Sequence, residues 1–257
     1  MPPVPKTKDY PFLGISPLRW YRWLVFVETY LPEALIYFMA RRAADGRRLM
    51  DKASKEAVQR NLRIILGEKA TEAEIRRLTK QVYYETGAYL AEFLGQRRFA
   101  PRWLAGKGWQ MSGYEHVSGP QGMGRGVMVI SAHFSNWELG AALLAAKGHE
   151  VYITSLEHED PRIDALFNDL RSVWGCTHMP INESVKTTMK ALKAGKITAY
   201  LGDRPMSNAV VEADFFGRKA MFPSIPAKMA LHAAAAYVPA FIWREGRNSF
   251  HVDFFPR

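Results

Sequence analysis

Between residues 127 and 201 the chain alternates short apolar runs with segments of helical periodicity. The apolar runs cover residues 127–131, 151–154 and 197–201, and the helical patterns cover residues 138–147, 161–174 and 183–194. Strands that alternate with helices along a chain pair in parallel and carry the helices on the faces of the sheet. The alternation therefore predicts an α/β fold with a mostly parallel central sheet flanked by helices.

The segments on either side of this region differ from it. Residues 51–99 have apolar side chains at helical spacing, and Thr71 and Glu74 have the spacing of a capping box, so two helices joined near Gly67 are expected. Residues 237–243 and 249–255 are apolar and flank the turn Glu245-Gly246-Arg247-Asn248. This pattern is typical of an antiparallel hairpin. The sheet is therefore expected to be mixed.

The net charge indicates an anionic partner. The chain has 35 Lys and Arg against 25 Asp and Glu, a formal charge of +10, which attracts anions without specifying which. Nucleic acid, anionic lipid headgroups, an acidic carrier protein and a phosphate-bearing cofactor all remain open. Cys176 is the single cysteine, so an intramolecular disulfide is excluded and a reducing compartment is indicated.

Residues 20–40 are rich in aromatic side chains but are interrupted by Arg22, Glu28, Pro32 and Glu33. A membrane-spanning helix needs about 20 consecutive apolar residues, so this segment is expected to lie in a membrane interface. Four arginines that suit anionic headgroups follow between residues 41 and 48. Packing of the aromatics on the protein's own core is the alternative. The predicted division is a membrane-associating segment, residues 1–48, and one α/β domain, residues 49–257.

His133 and Glu138 follow directly after the apolar run that ends at residue 131. Ligands of open α/β sheets collect at the carboxyl ends of strands, and a turn into a helix can bring Glu138 against one imidazole nitrogen. A neutral imidazole held by a carboxylate is a general base for a hydroxyl. Ser135 and Glu138 also have capping-box spacing, so Glu138 alternatively caps a helix and His133 alternatively ends a strand. The spacing leaves both interpretations open.

Further blocks of sequence accompany this motif. Between residues 20 and 245 they are, in order, Arg60-Asn61-Leu62, Gly113-Tyr114-Glu115-His116, Asn136-Trp137-Glu138, Leu170-Arg171 with Gly175, Gly202-Asp203-Arg204, and Phe215-Phe216-Gly217 followed by Phe222-Pro223. With these blocks and its His-x4-Glu motif, the chain resembles the bacterial lipid A biosynthesis (late) acyltransferase family. That family includes phosphatidylinositol mannoside acyltransferases and is distantly related to glycerolphosphate acyltransferases.

The resemblance implies transfer of a fatty acyl group from an acyl thioester, either acyl carrier protein or acyl-coenzyme A, to a hydroxyl of a glycolipid or phospholipid. His133 would be the general base and Glu138 would orient it. Asn136, Arg171, Asp203 and Arg204 would bind substrate, the arginines through headgroup or donor phosphates. An internal Asp–Arg salt bridge is the alternative for Asp203. No metal or redox cofactor is expected.

The resemblance also implies a location at the cytoplasmic face of the bacterial inner membrane, and we expect a monomer. Family members usually have a firmer N-terminal membrane helix. They also continue beyond the final hairpin, whereas this chain stops at Arg257, which is compatible with a C-terminal truncation. A non-catalytic lipid-binding protein on the same fold is the main alternative function. A nucleic-acid-binding role is not expected, since no recognition helix or zinc pattern is present in the sequence.

Overall fold

The computed structural model describes residues 16–180, 183–246 and 249–256. The first part of the chain is helical, with elements α1 Pro17–Tyr30, α2 Glu33–Met50, α3 Lys52–Leu66, α4 Glu72–Leu94 and α5 Gln96–Leu104. The expectation of two helices between residues 51 and 99 is confirmed by α3 and α4. Thr71 caps α4, because its side-chain oxygen accepts a hydrogen bond of 3.2 Å from the backbone N–H of Glu74.

Strands and helices then alternate. The elements are β1 Trp109–Ser112, α6 Glu115–Gly122, β2 Val127–Ser131, α7 Trp137–Ala146, β3 Val151–Ser155, α8 Pro161–Ser172, β4 Thr177–Pro180, α9 Ser184–Lys193, β5 Ile197–Leu201, β6 Val210–Phe215, β7 Arg218–Pro223, α10 Ile225–His232, β8 Ala236–Gly246 and β9 Ser249–Phe254. The three apolar runs are therefore strands β2, β3 and β5. The C-terminal hairpin is β8 and β9, and residues 247–248 of its expected turn lie outside the described residues.

The main sheet has the strand order β1-β9-β8-β2-β5-β3-β4. Strand β2 pairs in parallel with both β5 and β8, whereas β8 and β9 pair antiparallel, so the predicted mixed, mostly parallel sheet is confirmed. Val127 and Met128 point to opposite faces of β2 and are both fully buried. Burial on both faces is what a strand between two layers of helices requires.

Several elements were not predicted from the sequence. Strands β1 and β4 lie at the two edges of the main sheet and have only four residues each. Both contain polar as well as apolar side chains, so neither forms a recognisable apolar run. The small antiparallel sheet of β6 and β7 is a separate hairpin.

The N-terminal helices are part of the packed structure. Ile36 and Tyr37 of α2 are buried, and Tyr37 joins the main hydrophobic core. Phe26 and Tyr30 of α1 and Phe38 of α2 are instead exposed. Packing on the core therefore describes only part of the aromatic segment, and its location in a membrane interface stays a prediction. Residues 1–15 of the predicted N-terminal segment lie outside the described residues. Among the helices of the described ranges, none is long and apolar enough to cross a membrane.

Glu28 is a buried carboxyl group on α1, and we expect it to make stability depend on pH. Burial is the main cause that raises its pKa from 4.5 to about 8, while the Arg98 charge lowers it and the Glu92 charge raises it. A carboxyl group whose pKa is raised by folding stabilises the folded state below its unfolded pKa, and this contribution is lost as the pH rises through the folded pKa. Stability should therefore fall between about pH 4.5 and pH 8.

The variant Glu28→Gln cannot ionise, so its stability should change less over this pH range. Melting temperatures of the natural protein and the variant at pH 5 and pH 8 measure the difference. We expect the variant to gain stability relative to the natural protein at pH 8. If the melting temperatures of the two proteins differ by the same amount at pH 5 and at pH 8, Glu28 does not cause the pH dependence.

Candidate active site

His133 lies at the carboxyl end of β2, beside the corresponding end of β5. In the parallel register Ser131 faces Leu201, and the backbone N–H of Gly202 donates a hydrogen bond of 2.7 Å to the carbonyl oxygen of Ser131. His133 lies two residues after Ser131 and Asp203 lies two residues after Leu201, so their side chains are brought together. His133 Nδ1 lies 2.8 Å from Asp203 Oδ1.

This contact determines which imidazole nitrogen can act as a base. An ionised carboxylate only accepts hydrogen bonds, so Nδ1 carries the proton and Nε2 has the lone pair. Burial raises the pKa of Asp203, but the hydrogen bond and charge of His133, together with backbone hydrogen bonds, lower it, and the net shift is downward. Asp203 is therefore ionised at neutral pH. The two side chains are 29% and 30% exposed, so a substrate can reach them.

Glu138 lies in the first turn of α7 and forms an ion pair with Arg171 of α8. The Glu138 Oε1 atom accepts hydrogen bonds of 2.9 Å from Arg171 Nη2 and 3.1 Å from Arg171 Nε. Arg171 also lies 5.1 Å from the ring centroid of Phe93. The expected contact between the Glu138 carboxylate and the imidazole is not formed, because the imidazole bonds Asp203 and the carboxylate bonds Arg171.

Asn136 caps α7, and both the oxygen and the nitrogen of its side-chain amide form hydrogen bonds within the protein. Its Oδ1 accepts a hydrogen bond of 3.1 Å from the backbone N–H of Leu139, while its Nδ2 donates one of 2.8 Å to Glu92 Oε2. The predicted capping box of Ser135 and Glu138 is therefore wrong, because the helix begins one residue later than that box requires. Asn136 is only 3% exposed, so its observed contacts are structural. The predicted substrate contact stays a prediction.

Glu92 of α4 is the centre of a buried polar network that sequence reasoning missed. Besides Asn136, it accepts hydrogen bonds of 2.7 Å from the Tyr37 hydroxyl and of 2.6 and 2.9 Å from the two Nη atoms of Arg244. The Nε of Arg244 donates to Glu85. The network joins α2, α4, β8 and the helix that follows His133. Its only sequence signal is a glutamate within the apolar run Ala91-Glu92-Phe93-Leu94.

Arg171, Asp203 and Arg204 have different surroundings. Arg171 is 13% exposed and bonded to Glu138, so the structure places it inside the protein. Arg204 is 69% exposed at the side chain and its Nε lies 3.9 Å from Asp203 Oδ2. Most of its guanidinium is therefore available to a phosphate. Asp203 contacts both Arg204 and the imidazole. The alternative role of Asp203 in an internal Asp–Arg salt bridge therefore depends on a long contact with Arg204.

Cys176 is partly buried, and burial, followed by the charge of Glu138, raises its pKa to about 12. The thiol is therefore protonated at neutral pH and is a poor nucleophile. Among the described residues, no three or more His, Cys, Asp or Glu side chains are grouped so that they could hold a metal ion.

The chain is similar to known acyltransferases. The family model described as bacterial lipid A biosynthesis acyltransferase matches residues 15–257. A phosphatidylinositol mannoside acyltransferase of Mycobacterium tuberculosis (strain H37Rv) is 26% identical over 54% of the chain and 45% of that protein. The lipid A biosynthesis lauroyltransferase of Escherichia coli K12 is 26% identical over 95% of the chain and 76% of that protein. The match to the mycobacterial relatives thus spans about half of their length. Since the family model matches nearly all of the sequence, the chain belongs to the bacterial lipid A biosynthesis acyltransferase family.

Proposed function

We propose that the protein is a membrane-associated O-acyltransferase that moves a fatty acyl group from acyl carrier protein or coenzyme A to a hydroxyl of a glycolipid or phospholipid. The observation that carries this proposal is the hydrogen bond from His133 Nδ1 to Asp203 at the carboxyl ends of two central strands. It prepares Nε2 to accept a hydroxyl proton in a position reachable by substrate. The family match and the names of the relatives support acyl transfer as the reaction.

In the proposed reaction His133 Nε2 takes the proton of the acceptor hydroxyl while the oxygen attacks the thioester carbonyl carbon. The tetrahedral intermediate then collapses, the carbon–sulfur bond breaks, and the imidazolium returns its proton to the departing thiolate. Asp203 stabilises the imidazolium, and no covalent acyl-enzyme forms. Glu138 acts as a positioning residue, because its pair with Arg171 anchors the helix that begins beside His133.

We assign Arg204 to binding of a phosphate of the donor or of the lipid headgroup, since its guanidinium is largely exposed next to Asp203. For Arg171 the same role requires opening of its pair with Glu138. The substrate that carries this phosphate thus approaches His133 from the side of the loop that follows β5. Our proposal locates this chemistry at the cytoplasmic face of the inner membrane.

The proposal is tested by incubating the purified protein with a labelled acyl thioester and a bacterial lipid extract. Acyl-coenzyme A and acyl carrier protein are supplied in parallel, and labelled lipid is separated by thin-layer chromatography. We expect labelled lipid with at least one donor. A protein that sediments with the lipid but forms no product above the no-enzyme control with either donor would instead be a non-catalytic lipid-binding protein.

The exposed aromatics of α1 are proposed to contact the membrane. The rings of Phe26 and Tyr30 lie 4.7 Å apart, tilted by 44°, on the surface of the helix, and the two residues are 60% and 70% exposed. Deleting residues 1–42 would also remove the core residues Ile36 and Tyr37, so point variants are the sharper test. Phe26→Ser combined with Tyr30→Ser should weaken sedimentation with anionic vesicles by about tenfold.

Leu231→Ser is the matched control, because Leu231 is 80% exposed but belongs to α10. It should sediment with vesicles like the natural protein. If the double variant also sediments like the natural protein, the exposed aromatics of α1 are not membrane contacts.

A further inference from the structure

The hairpin formed by β6 and β7 extends the loop that carries Asp203. It begins at residue 210, seven residues after Asp203, and its base is closed by the hydrogen bond of 2.9 Å that the backbone N–H of Ser224 donates to the carbonyl oxygen of Ala209. It forms a two-stranded sheet apart from the main sheet. An isolated two-stranded hairpin is only marginally stable in water, so a further contact would help to hold it.

The two faces of the hairpin differ in polarity. Register places Val211, Ala213, Phe215, Arg218, Ala220 and Phe222 on one face, with the rings of Phe215 and Phe222 5.5 Å apart. The opposite face has Val210, Glu212, Asp214, Lys219, Met221 and Pro223, where Lys219 pairs with Asp214 at 2.9 Å. Although the first face is apolar, Val211 and Phe215 are each 52% exposed.

Phe216 at the tip of the hairpin adopts a conformation that its side chain disfavours. Phe216 and Gly217 connect Phe215 to Arg218 and have φ of 50° and 71°, as a two-residue type I′ turn requires. Asn-Gly is the favoured sequence there, whereas a bulky side chain at positive φ is strained. Phe216 is also 52% exposed. The Phe216 ring packs edge-on against Phe215 at 4.6 Å, but half of its surface faces solvent. A bulky residue kept at a strained, half-exposed tip indicates a role in binding.

We propose that the apolar face and the tip of this hairpin insert into the anionic lipid surface beside the active site, an inference that rests on the proposed function. Charge favours a bilayer as the occupant. Arg218 is the cation on the apolar face, and both carboxylates lie on the other face. A long arginine can keep its guanidinium among headgroups while Phe215 and Phe216 enter the acyl region. The hairpin would thereby hold the loop of Asp203 at the membrane.

The test compares Phe216→Asn with Met221→Ser, since Met221 is 47% exposed but lies on the opposite face. Sedimentation is measured with phosphatidylcholine vesicles that contain or lack phosphatidylglycerol, with no acyl donor present. Phe216→Asn should bind the anionic vesicles about fivefold more weakly, yet melt at the same or a higher temperature because Asn-Gly suits the turn. Met221→Ser should bind like the natural protein. Equal binding by all three proteins would overturn the proposal.

Labelling gives a second measurement that does not depend on the turn. In a Cys176→Ala background, Val211→Cys and Glu212→Cys place an environment-sensitive fluorophore on opposite faces of the same strand. Vesicles should increase and blue-shift the emission at position 211 and leave that at position 212 nearly unchanged. An emission change at position 211 produced by acyl carrier protein and not by vesicles would assign the face to the carrier protein and overturn the lipid assignment. If the natural protein transfers no acyl group but the vesicle-binding and fluorescence results are as expected, only the proposed function is contradicted.

Discussion

Replacing His133 with alanine is expected to lower the rate of acyl transfer by about a hundredfold or more, because general-base catalysis by a positioned side chain typically contributes that much. The side chain is partly exposed at the end of β2, so the fold should tolerate the change. The measurement is the initial rate with saturating acyl thioester, together with the melting temperature. Equal rates of the natural protein and the variant above the no-enzyme control would contradict the role of His133.

Two further variants decide which carboxylate supports the base. Asp203→Asn removes the charge that accepts from His133 Nδ1, so kcat should fall strongly while the melting temperature changes little. Glu138→Gln weakens the pair with Arg171 and should lower the melting temperature more than Asp203→Asn does, with a smaller loss of kcat. Should Glu138→Gln reduce kcat more than Asp203→Asn in a protein that remains folded, Glu138 rather than Asp203 would be the residue that supports His133.

The second large effect is expected for Arg244→Met, which should reduce the free energy of unfolding by about 3–5 kcal/mol. This variant leaves the carboxylate of Glu92 buried without its charge partner, and breaking a buried ion pair from one side has a cost of that size. The Glu92 side chain is fully buried and that of Arg244 is 12% exposed. Although burial opposes the charged form, the bonds with Glu92 and Glu85 raise the pKa of Arg244 above its usual value. Urea unfolding followed by circular dichroism measures the loss.

Glu85→Gln provides the matched control for Arg244→Met. The Glu85 side chain is 45% exposed and bonds the same guanidinium, and an exposed ion pair contributes only about 0–1 kcal/mol. The double variant Glu92→Leu with Arg244→Met should lose less stability than the two single variants together, because no unpaired charge remains buried. Strict additivity would show that Glu92 and Arg244 are not energetically coupled.

The network around Glu92 also links stability to the site. Asn136 both begins α7 and donates to Glu92, so a loosened network should allow the turn between His133 and α7 to move. The kcat of Arg244→Met for acyl transfer, measured well below the melting temperature of the variant, should therefore be lower than that of the natural protein.

The local elements could be predicted from the sequence alone. Apolar runs bounded by glycine and polar residues identify β2, β3 and β5, because a strand buried on both faces needs a continuous apolar stretch. The cap of α4 follows from Thr71, whose hydroxyl satisfies a free N–H close by in the chain. The position of His133 after β2 likewise depends only on where the apolar run ends. These features depend on neighbouring residues, so they can be recognised locally.

Only the tertiary structure decided which groups meet. His133 bonds Asp203 rather than Glu138 because the register of β2 against β5 aligns two strand ends that are 70 residues apart in the chain. Glu92 and Arg244 are 152 residues apart and meet because their long side chains join α4 to β8. The sequence by itself thus determined the central strands β2, β3 and β5, the helices between them and the position of His133 at the end of β2. The partner of His133 was decided by strand register and helix packing, because hydrogen bonds act over about 3 Å and the chain does not record which distant residues come that close.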